Sequence, residues 1–434
     1  MIDAFYLALI LIVILSSFGL SIGLAMICGS TVYLMAKGFD PSIASETLLQ
    51  GLYDSYTLLA IPLFVLAADI MNVGSLADRL LRFCQALVGR YRGGLGYVNV
   101  VSAVIFSGMS GSAVADAVGM GRIIIGMMTK DGKYTPSYAA AITAAAATIG
   151  PIIPPSIPMV LYALVADQSV GYLFAAGMAP GLAMGLMIGV MNWWIARKRN
   201  FPVDEGVPMA ELPGVTFKAL PALMLPVILL GGIYGGVFTP TEGASVGAFV
   251  MLVIGLVRRT LTPAAVRQAI LQTAETSAMI FAILLGAEVF NAFLALTQVP
   301  TAAAEMIAAS GWAPYTVLIG LLLFYIVLGG VMDELAMILL TLPVFFPIVI
   351  ALDFGMPADD VAIWFGILVL IVVGIGMTCP PIGLNVFVVA SLARDVPVTQ
   401  IYRGVLPFVA VDILRLGVVV AFPALTLYLV KLLE

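Results

Sequence analysis

An all-α polytopic membrane protein built from two inverted repeats is the fold class this sequence predicts, and three observations predict it. The 434 residues are 62% hydrophobic and only 10% charged, with a mean hydropathy of +1.15. Apolar runs such as 4–36, 171–196 and 405–433 are long enough to cross about 30 Å of hydrocarbon at roughly 1.5 Å per residue. Two apolar stretches in matching places of the two halves are each broken by paired prolines. They read Gly150-Pro151-Ile152-Ile153-Pro154-Pro155-Ser156 and Gly376-Met377-Thr378-Cys379-Pro380-Pro381-Ile382-Gly383. Proline removes a backbone donor and blocks the helical bond behind it. Backbone freed in this way persists at membrane depth only where it lines a site or is buried in protein. A matched pair of broken helices points to the binding site of a secondary transporter.

Composition also narrows the function. There is no histidine, and the three cysteines (Cys28, Cys84, Cys379) are far apart in sequence. That argues against a disulfide framework and against zinc or haem. The longest polar connection, 197–216, is too short for a soluble domain, so any soluble receptor or ATPase is expected on another polypeptide. No cleavable signal peptide is expected, because the start lacks a basic region and the first apolar run is too long. The net charge of −5 says little in a chain mostly buried in lipid.

Basic residues set the orientation. They cluster at Arg79, Arg82, Arg90 and Arg92; at Lys130 and Lys133; at Arg197, Lys198, Arg199 and Lys218; at Arg258, Arg259 and Arg267; and at Arg394 and Arg403. The positive-inside rule places these in the cytoplasm. The N-terminus is then cytoplasmic and 5–36 crosses outward. Segment 51–73 returns, 136–165 crosses outward through the first break, and 171–196 returns. In the second half 217–236 goes out, 241–257 returns, 277–298 goes out, 359–393 returns through the second break, and 405–432 goes out to a periplasmic C-terminus. Segments 94–128 and 312–352 each enter and leave on one side, which makes them re-entrant helical hairpins. Each hairpin is followed by a broken helix and then an intact one, with opposite orientation in the two halves. The repeats therefore run 1–200 and 217–434, an inverted-topology pair in a single integral membrane unit. Stretches 76–91, 302–310 and 263–275 read as amphipathic helices along the interface.

The breaks and hairpin tips carry the candidate chemistry. The first tip, Phe106-Ser107-Gly108-Met109-Ser110-Gly111-Ser112-Ala113, offers glycines for a tight reversal and serine oxygens. It would oppose the carbonyls freed around Gly150, Ile153 and Pro155. Hard monovalent cations take such a shell of carbonyls and hydroxyls, helped by half-helix C-termini. The plainer reading is that small residues let helices pack closely; the proline break that follows favours the ion site. The second tip, Leu328-Gly329-Gly330-Val331-Met332-Asp333-Glu334, would face Gly376, Thr378 and Pro380. Carboxylates inside a membrane are costly, about 2.5–3.5 kcal/mol at mid-helix on insertion scales, so Asp333 and Asp116 stand out. Each reads either as a ligand or as a cap accepting from free N–H groups at a half-helix start.

Other polar residues carry weaker signals. Glu334 is expected to face water. Arg122, within the first hairpin, meets either an anionic substrate or the membrane surface. Asn385, past the second break, is either a substrate contact or a helix–helix hydrogen bond. Asp412 and Arg415 are spaced to neutralise each other. Glu242 reads as a helix-start residue, and Glu275 and Glu288 as structural. Enzyme motifs are missing: 126–133 only superficially resembles a phosphate loop, with one residue too many between its glycines and Tyr134 where Ser or Thr is needed. Transport would then be driven by an ion gradient.

These residues resemble the large membrane subunit of tripartite ATP-independent periplasmic (TRAP) transporters nearly end to end. The resemblance is carried by Leu58-Leu59-Ala60-Ile61-Pro62-Leu63-Phe64, by the first tip with Asp116, by Gly150 to Pro155, by Thr239-Pro240-Thr241-Glu242-Gly243-Ala244, and by Cys379-Pro380-Pro381-Ile382-Gly383-Leu384-Asn385. It implies an elevator-type transporter of the bacterial inner membrane, importing small organic acids with sodium as the coupling ion. It implies two partners beside membrane lipid, a periplasmic substrate-binding protein and a small four-helix membrane subunit, and no nucleic acid. No four-helix extension precedes Ala4, so that subunit is expected as a separate chain. The first sodium site would use the Ser110 and Ser112 side chains with the Gly150, Ile153 and Pro155 carbonyls. The second would use Asp333 with Gly376, Thr378 and Pro380. Asp116, Arg122 and Asn385 are the substrate candidates. The hairpins and broken helices would move against a scaffold of 5–73, 171–258 and 405–432 with the interfacial arms. Two rival readings stand: a self-sufficient sodium–dicarboxylate symporter, whose paired Ser-Asn-Thr motifs are missing here, and a channel or non-transporting scaffold.

Overall fold

The computed structural model describes residues 4–53, 56–73, 76–203, 206–393 and 396–433, and among them it contains helices and no β-strand. Arg394 lies outside the described residues. The first half runs α1 (Ala4–Ser17), α2 (Ile22–Ala36), α3 (Ser42–Tyr53), α4 (Ala60–Val73), α5 (Leu76–Val88), α6 (Gly94–Ser110), α7 (Ala113–Thr129), α8 (Pro136–Ala147), α9 (Ile157–Val165) and α10 (Val170–Lys198). The second half runs α11 (Leu212–Tyr234), α12 (Pro240–Val257), α13 (Pro263–Thr297), α14 (Val299–Ala309), α15 (Pro314–Gly329), α16 (Glu334–Ile350), α17 (Ala358–Gly376), α18 (Leu384–Leu392), α19 (Val398–Ala421) and α20 (Ala424–Leu433). Among the described residues, seven helical stretches are long and apolar enough to cross a membrane. Both hairpins are present, as α6–α7 and α15–α16, and both broken helices, as α8–α9 and α17–α18. The order arm, hairpin, broken helix and closing helix recurs in the two halves.

Caps explain several boundaries. Ser112, Ser156, Ser169, Thr239 and Thr262 each accept a backbone N–H of the helix that follows. Thr239 and Glu242 form a reciprocal capping box, so Glu242 is the helix-start residue that its place after Thr-Pro-Thr suggests.

The helices sort into two packed groups. In one, α4 lies between α12 and α13, and α2 lies along α13. There the bare Gly23 and Gly286 touch backbone to backbone; a Cβ on Gly286 would come within 2.5 Å of the Gly23 Cα. The other group surrounds α17, in which every residue from Asp360 to Gly376 is buried. Alanine-rich α8, buried from Tyr138 to Ala147, packs there against α6, α7, α18 and α19. Its small side chains let four neighbours approach. Long-range bonds tie this second group together. Trp364 Nε1 donates to the Val419 carbonyl (3.0 Å), and the Tyr162 hydroxyl donates to the Ala362 carbonyl (2.7 Å). Lys431 pairs with Asp360 at 3.1 Å.

The structure corrects the sequence-based reading in several places. Segment 5–36 is not one crossing: α1 and α2 pack against each other as a helical hairpin, with Gly29 resting on Ala8 and Ile12. The turn hides from hydropathy because Phe18 and Leu20 flank Gly19, whose φ of +89° needs glycine. A cytoplasmic N-terminus therefore loses the single crossing it rested on. Helix α3, begun by Asp40 accepting the Ser42 N–H at 2.9 Å, runs to Tyr53 and takes the first residues of the segment read as 51–73. Residues 263–275 are no separate interfacial helix but the first turns of the 35-residue α13. Segment 405–432 is interrupted at Phe422, before Pro423, which cannot donate. Most consequentially, 171–196 and 405–432, expected with 5–73, do not pack with the group around α4. Helix α10 packs on α6, α17, α19 and α20, and α19 packs on α8 and α17, so all three belong with the hairpins. Sequence length and apolarity are alike in both groups; only the contact faces separate them.

Candidate functional site

Each hairpin tip docks on the broken helix of its own half through the same kind of bond. Gly111 ends α6 in the left-handed conformation (φ +62°), and its carbonyl accepts the Ile157 N–H at 3.3 Å. Gly330, past α15, presents its carbonyl to the N–H groups of Ile382 (2.8 Å) and Gly383 (3.0 Å). Both contacts depend on bare backbone. A Cβ on Gly111 would meet the Pro155 carbonyl oxygen at 2.6 Å, and one on Gly330 would meet the Pro380 carbonyl oxygen at 3.0 Å. Both breaks carry a cis Pro-Pro peptide, Pro154-Pro155 and Pro380-Pro381.

At the first tip Ser110, Ser112, Asp116, Gly150 and Pro155 come together. Ser110 donates its hydroxyl to Asp116 Oδ1, and Ser107 Oγ lies 3.4 Å from Asp116 Oδ2. Gly150 faces Asp116 and the Ser112 backbone so closely that a Cβ would lie 2.6 Å from Asp116 Oδ2. Among the described residues no hydrogen bond reaches the carbonyls of Gly150, Ile153 or Pro155. Pro226 of α11 covers Gly108 from outside, and the whole break from Gly150 to Ser156 is buried.

At the second tip Asp333 caps α16, accepting the N–H groups of Leu335 (3.0 Å) and Ala336 (3.1 Å) through Oδ1. Gly376 lies against Gly329. The carbonyls of Thr378 and Pro380 receive no hydrogen bond among the described residues, whereas Gly376 accepts from the Cys379 N–H at 2.9 Å. This break is open where the first is closed: Pro380, Pro381 and Ile382 are exposed. Asn385 is fully buried just beyond it, and neither side-chain amide atom has a hydrogen-bond partner. A buried amide without partners is costly, and here it sits at the break.

Some candidates stand apart. Arg122 is exposed, nine residues along α7 from its start at Ala113. Asp412 and Arg415 do pair, at 3.4 Å, but Arg415 also reaches across to the Pro180 carbonyl on α10 at 3.3 Å. The expectation that Glu334 faces water is wrong. It is 4% exposed and lies beside the Ser112 hydroxyl and the Ala113 N–H of the other hairpin. Sequence reasoning also passed over Asn99 and Ser102, which extend the tip serines Ser107 and Ser110 into a polar stripe on α6. Its spacing was visible, and it leads from the Asn99–Thr143 hydrogen bond (2.7 Å) up to Asp116. Among the described residues no three acidic, cysteine or histidine side chains are grouped to hold a metal ion.

Two helical hairpins docked on two broken helices, in halves with the same order of elements and with polar groups buried at the tips, define a multi-pass membrane transporter and not an enzyme. The particular family follows from sequence comparison. Residues 6–425 match the family model described as "Tripartite ATP-independent periplasmic transporter, DctM component", and the chain belongs to that family as a large permease subunit. It is 34% identical to the sialic acid TRAP transporter large permease protein SiaM of Vibrio cholerae, over 95% of each chain. It is 34% identical to the 2,3-diketo-L-gulonate TRAP transporter large permease protein YiaN of Escherichia coli, over 95% of this chain and 96% of that one. The C4-dicarboxylate TRAP transporter large permease protein DctM of Vibrio cholerae is also 34% identical, over 98% and 97%. Among solved structures the fold is similar to the YdaH transporter of Alcanivorax borkumensis, with a TM-score of 0.60 at 16% identity over 87% of each chain.

Proposed function

We propose that this chain is the permease of a sodium-coupled importer of a small organic acid, in a bacterial inner membrane. A periplasmic binding protein delivers the substrate, and a small membrane subunit braces the group formed by α1–α4 and α11–α13. The group formed by α6–α10 and α15–α20 carries substrate and ions across as an elevator. The observation that carries the reading is the repeated docking of a hairpin tip on a broken helix, which leaves carbonyls free beside Ser112 at one tip and Asp333 at the other. Sodium takes a shell of neutral oxygens with little charge. The first ion is held by Ser110, Ser112 and the carbonyls of Gly150, Ile153 and Pro155. The second is held by Asp333 with Gly376, Thr378 and Pro380. Asn385 and Asp116 face the substrate. The relatives named above carry acids that differ in size but share a carboxylate, which supports the substrate class.

The test is uptake into vesicles reconstituted with the permease, its small subunit and a cognate binding protein. Accumulation that needs both an inward sodium gradient and the binding protein is expected. Accumulation without the binding protein would favour a self-sufficient symporter, and equilibration without accumulation would favour a channel.

A further inference from the structure

The first turn of α16 holds a carboxylate that the two proposed ion sites leave out. Glu334 follows the cap residue Asp333, yet its side chain crosses to the opposite hairpin. There it lies beside the Ser112 hydroxyl and the Ala113 N–H at the start of α7. Glu334 Oε2 is buried and makes no hydrogen bond. Asp333 differs in this respect, because its Oδ1 already accepts two backbone N–H groups.

A buried carboxylate with an unpartnered oxygen needs positive charge. The N-terminus of α7 supplies part of it. No ion pair to Glu334 occurs among the described residues, and the buried Arg415 is taken up by Asp412 and the Pro180 carbonyl. Divalent and transition metals want several anionic or imidazole ligands, and the described residues offer no such group. A monovalent cation beside a hydroxyl, free carbonyls and one carboxylate satisfies the charge.

We infer that Glu334 completes the first cation site from the opposite hairpin, so that one bound cation ties the two tips together. The inference rests on the sodium-coupled reading above and deepens it. Cation binding at the first tip is then felt directly at the start of α16, next to Asp333 of the second site. The two sites fill as one unit, and the gap between the tips is shaped before substrate enters.

The experiment is a sodium titration of thermal stability, with potassium replacing sodium at constant ionic strength, on the purified permease with its small subunit. Wild type, Glu334→Gln, Ser112→Ala and the double variant are compared, with Glu334→Asp as a milder change that keeps the charge. Glu334→Gln is expected to raise the half-stabilising sodium concentration roughly tenfold or more, as befits a full charge lost beside a cation. Ser112→Ala is expected to do the same, and the loss in the double variant to depart from the sum of the two single losses, because both act on one ion. Should Glu334→Gln fail to fold, Glu334→Asp withdraws the carboxylate by one methylene and must still weaken sodium binding. A wild-type midpoint in a folded Glu334 variant would make the residue a cap for α7 and overturn the inference. A wild type that ignores sodium altogether would overturn the sodium-coupled reading, and this inference with it.

Discussion

Replacing Gly111 by alanine tests the docking of the first hairpin tip most directly. The residue sits at φ +62°, a conformation that costs an L-residue about 1 kcal/mol or more. The added Cβ would meet three backbone atoms: the Pro155 oxygen at 2.6 Å, the Ser156 Cα at 2.9 Å and the Ile157 nitrogen at 3.1 Å. None of them can rotate away as a side chain would, so tip and break must part, at the roughly 1–3 kcal/mol typical of overpacking. Parting also breaks the bond from the Ile157 N–H to the Gly111 carbonyl (3.3 Å), a further contribution of about 1 kcal/mol. Together these disfavour the docked tip by about 3–5 kcal/mol, more than a hundredfold in population. Gly355 supplies the control, with φ +72° and no atom within 4 Å of a built Cβ. Gly355→Ala should show the backbone cost alone. Both variants are compared with wild type by thermal unfolding in sodium and in potassium, and by uptake. Gly111→Ala should lose uptake and the sodium-dependent rise, whereas Gly355→Ala should keep both. Equal losses of stability in the two variants, with Gly111→Ala transporting normally, would refute the reasoning.

Ser112→Ala and Asp333→Ala should each abolish sodium-driven uptake while membrane insertion, followed by fractionation, stays intact; full-rate uptake by both would remove the proposed ion sites. Arg415→Ala leaves the Asp412 carboxylate buried and unpaired, which should cost about 3–5 kcal/mol. It should appear as a large drop in melting temperature, partly restored by Asp412→Ala in the same chain, and no restoration would disprove the pairing. Arg122→Ala, on an exposed face away from the tips, should leave the apparent KM for substrate unchanged. Asn385→Ala, which removes an unpartnered buried amide beside the second break, should raise it severalfold, and the reverse ranking would return Arg122 to the substrate site.

How much of this was legible beforehand differs between elements for physical reasons. The breaks and hairpins were legible because their signals are local. Paired prolines end helices wherever they stand, and glycine-rich reversals with serine or aspartate at the following helix start need no partner to be recognised. Three of the five family motifs lie on those same segments, so residues at the first tip and at both breaks could be named by number. The turn at Gly19 and the gap at Phe422 escaped because apolar neighbours carry the hydropathy straight across them.

What the sequence by itself determined is therefore the class of protein, the repeat and the residues at each tip. Which helices pack together was decided only in three dimensions. Helices α10, α12 and α13 are all long and apolar, and nothing in their composition tells a helix packed around α17 from one packed around α4. The choice lies in contacts such as Arg415 with the Pro180 carbonyl and Gly23 against Gly286, which join residues hundreds of positions apart. Glu334 shows the same limit at a single side chain. Adjacent to Asp333 it reads as a surface carboxylate, and only the meeting of the two hairpins buries it against Ser112.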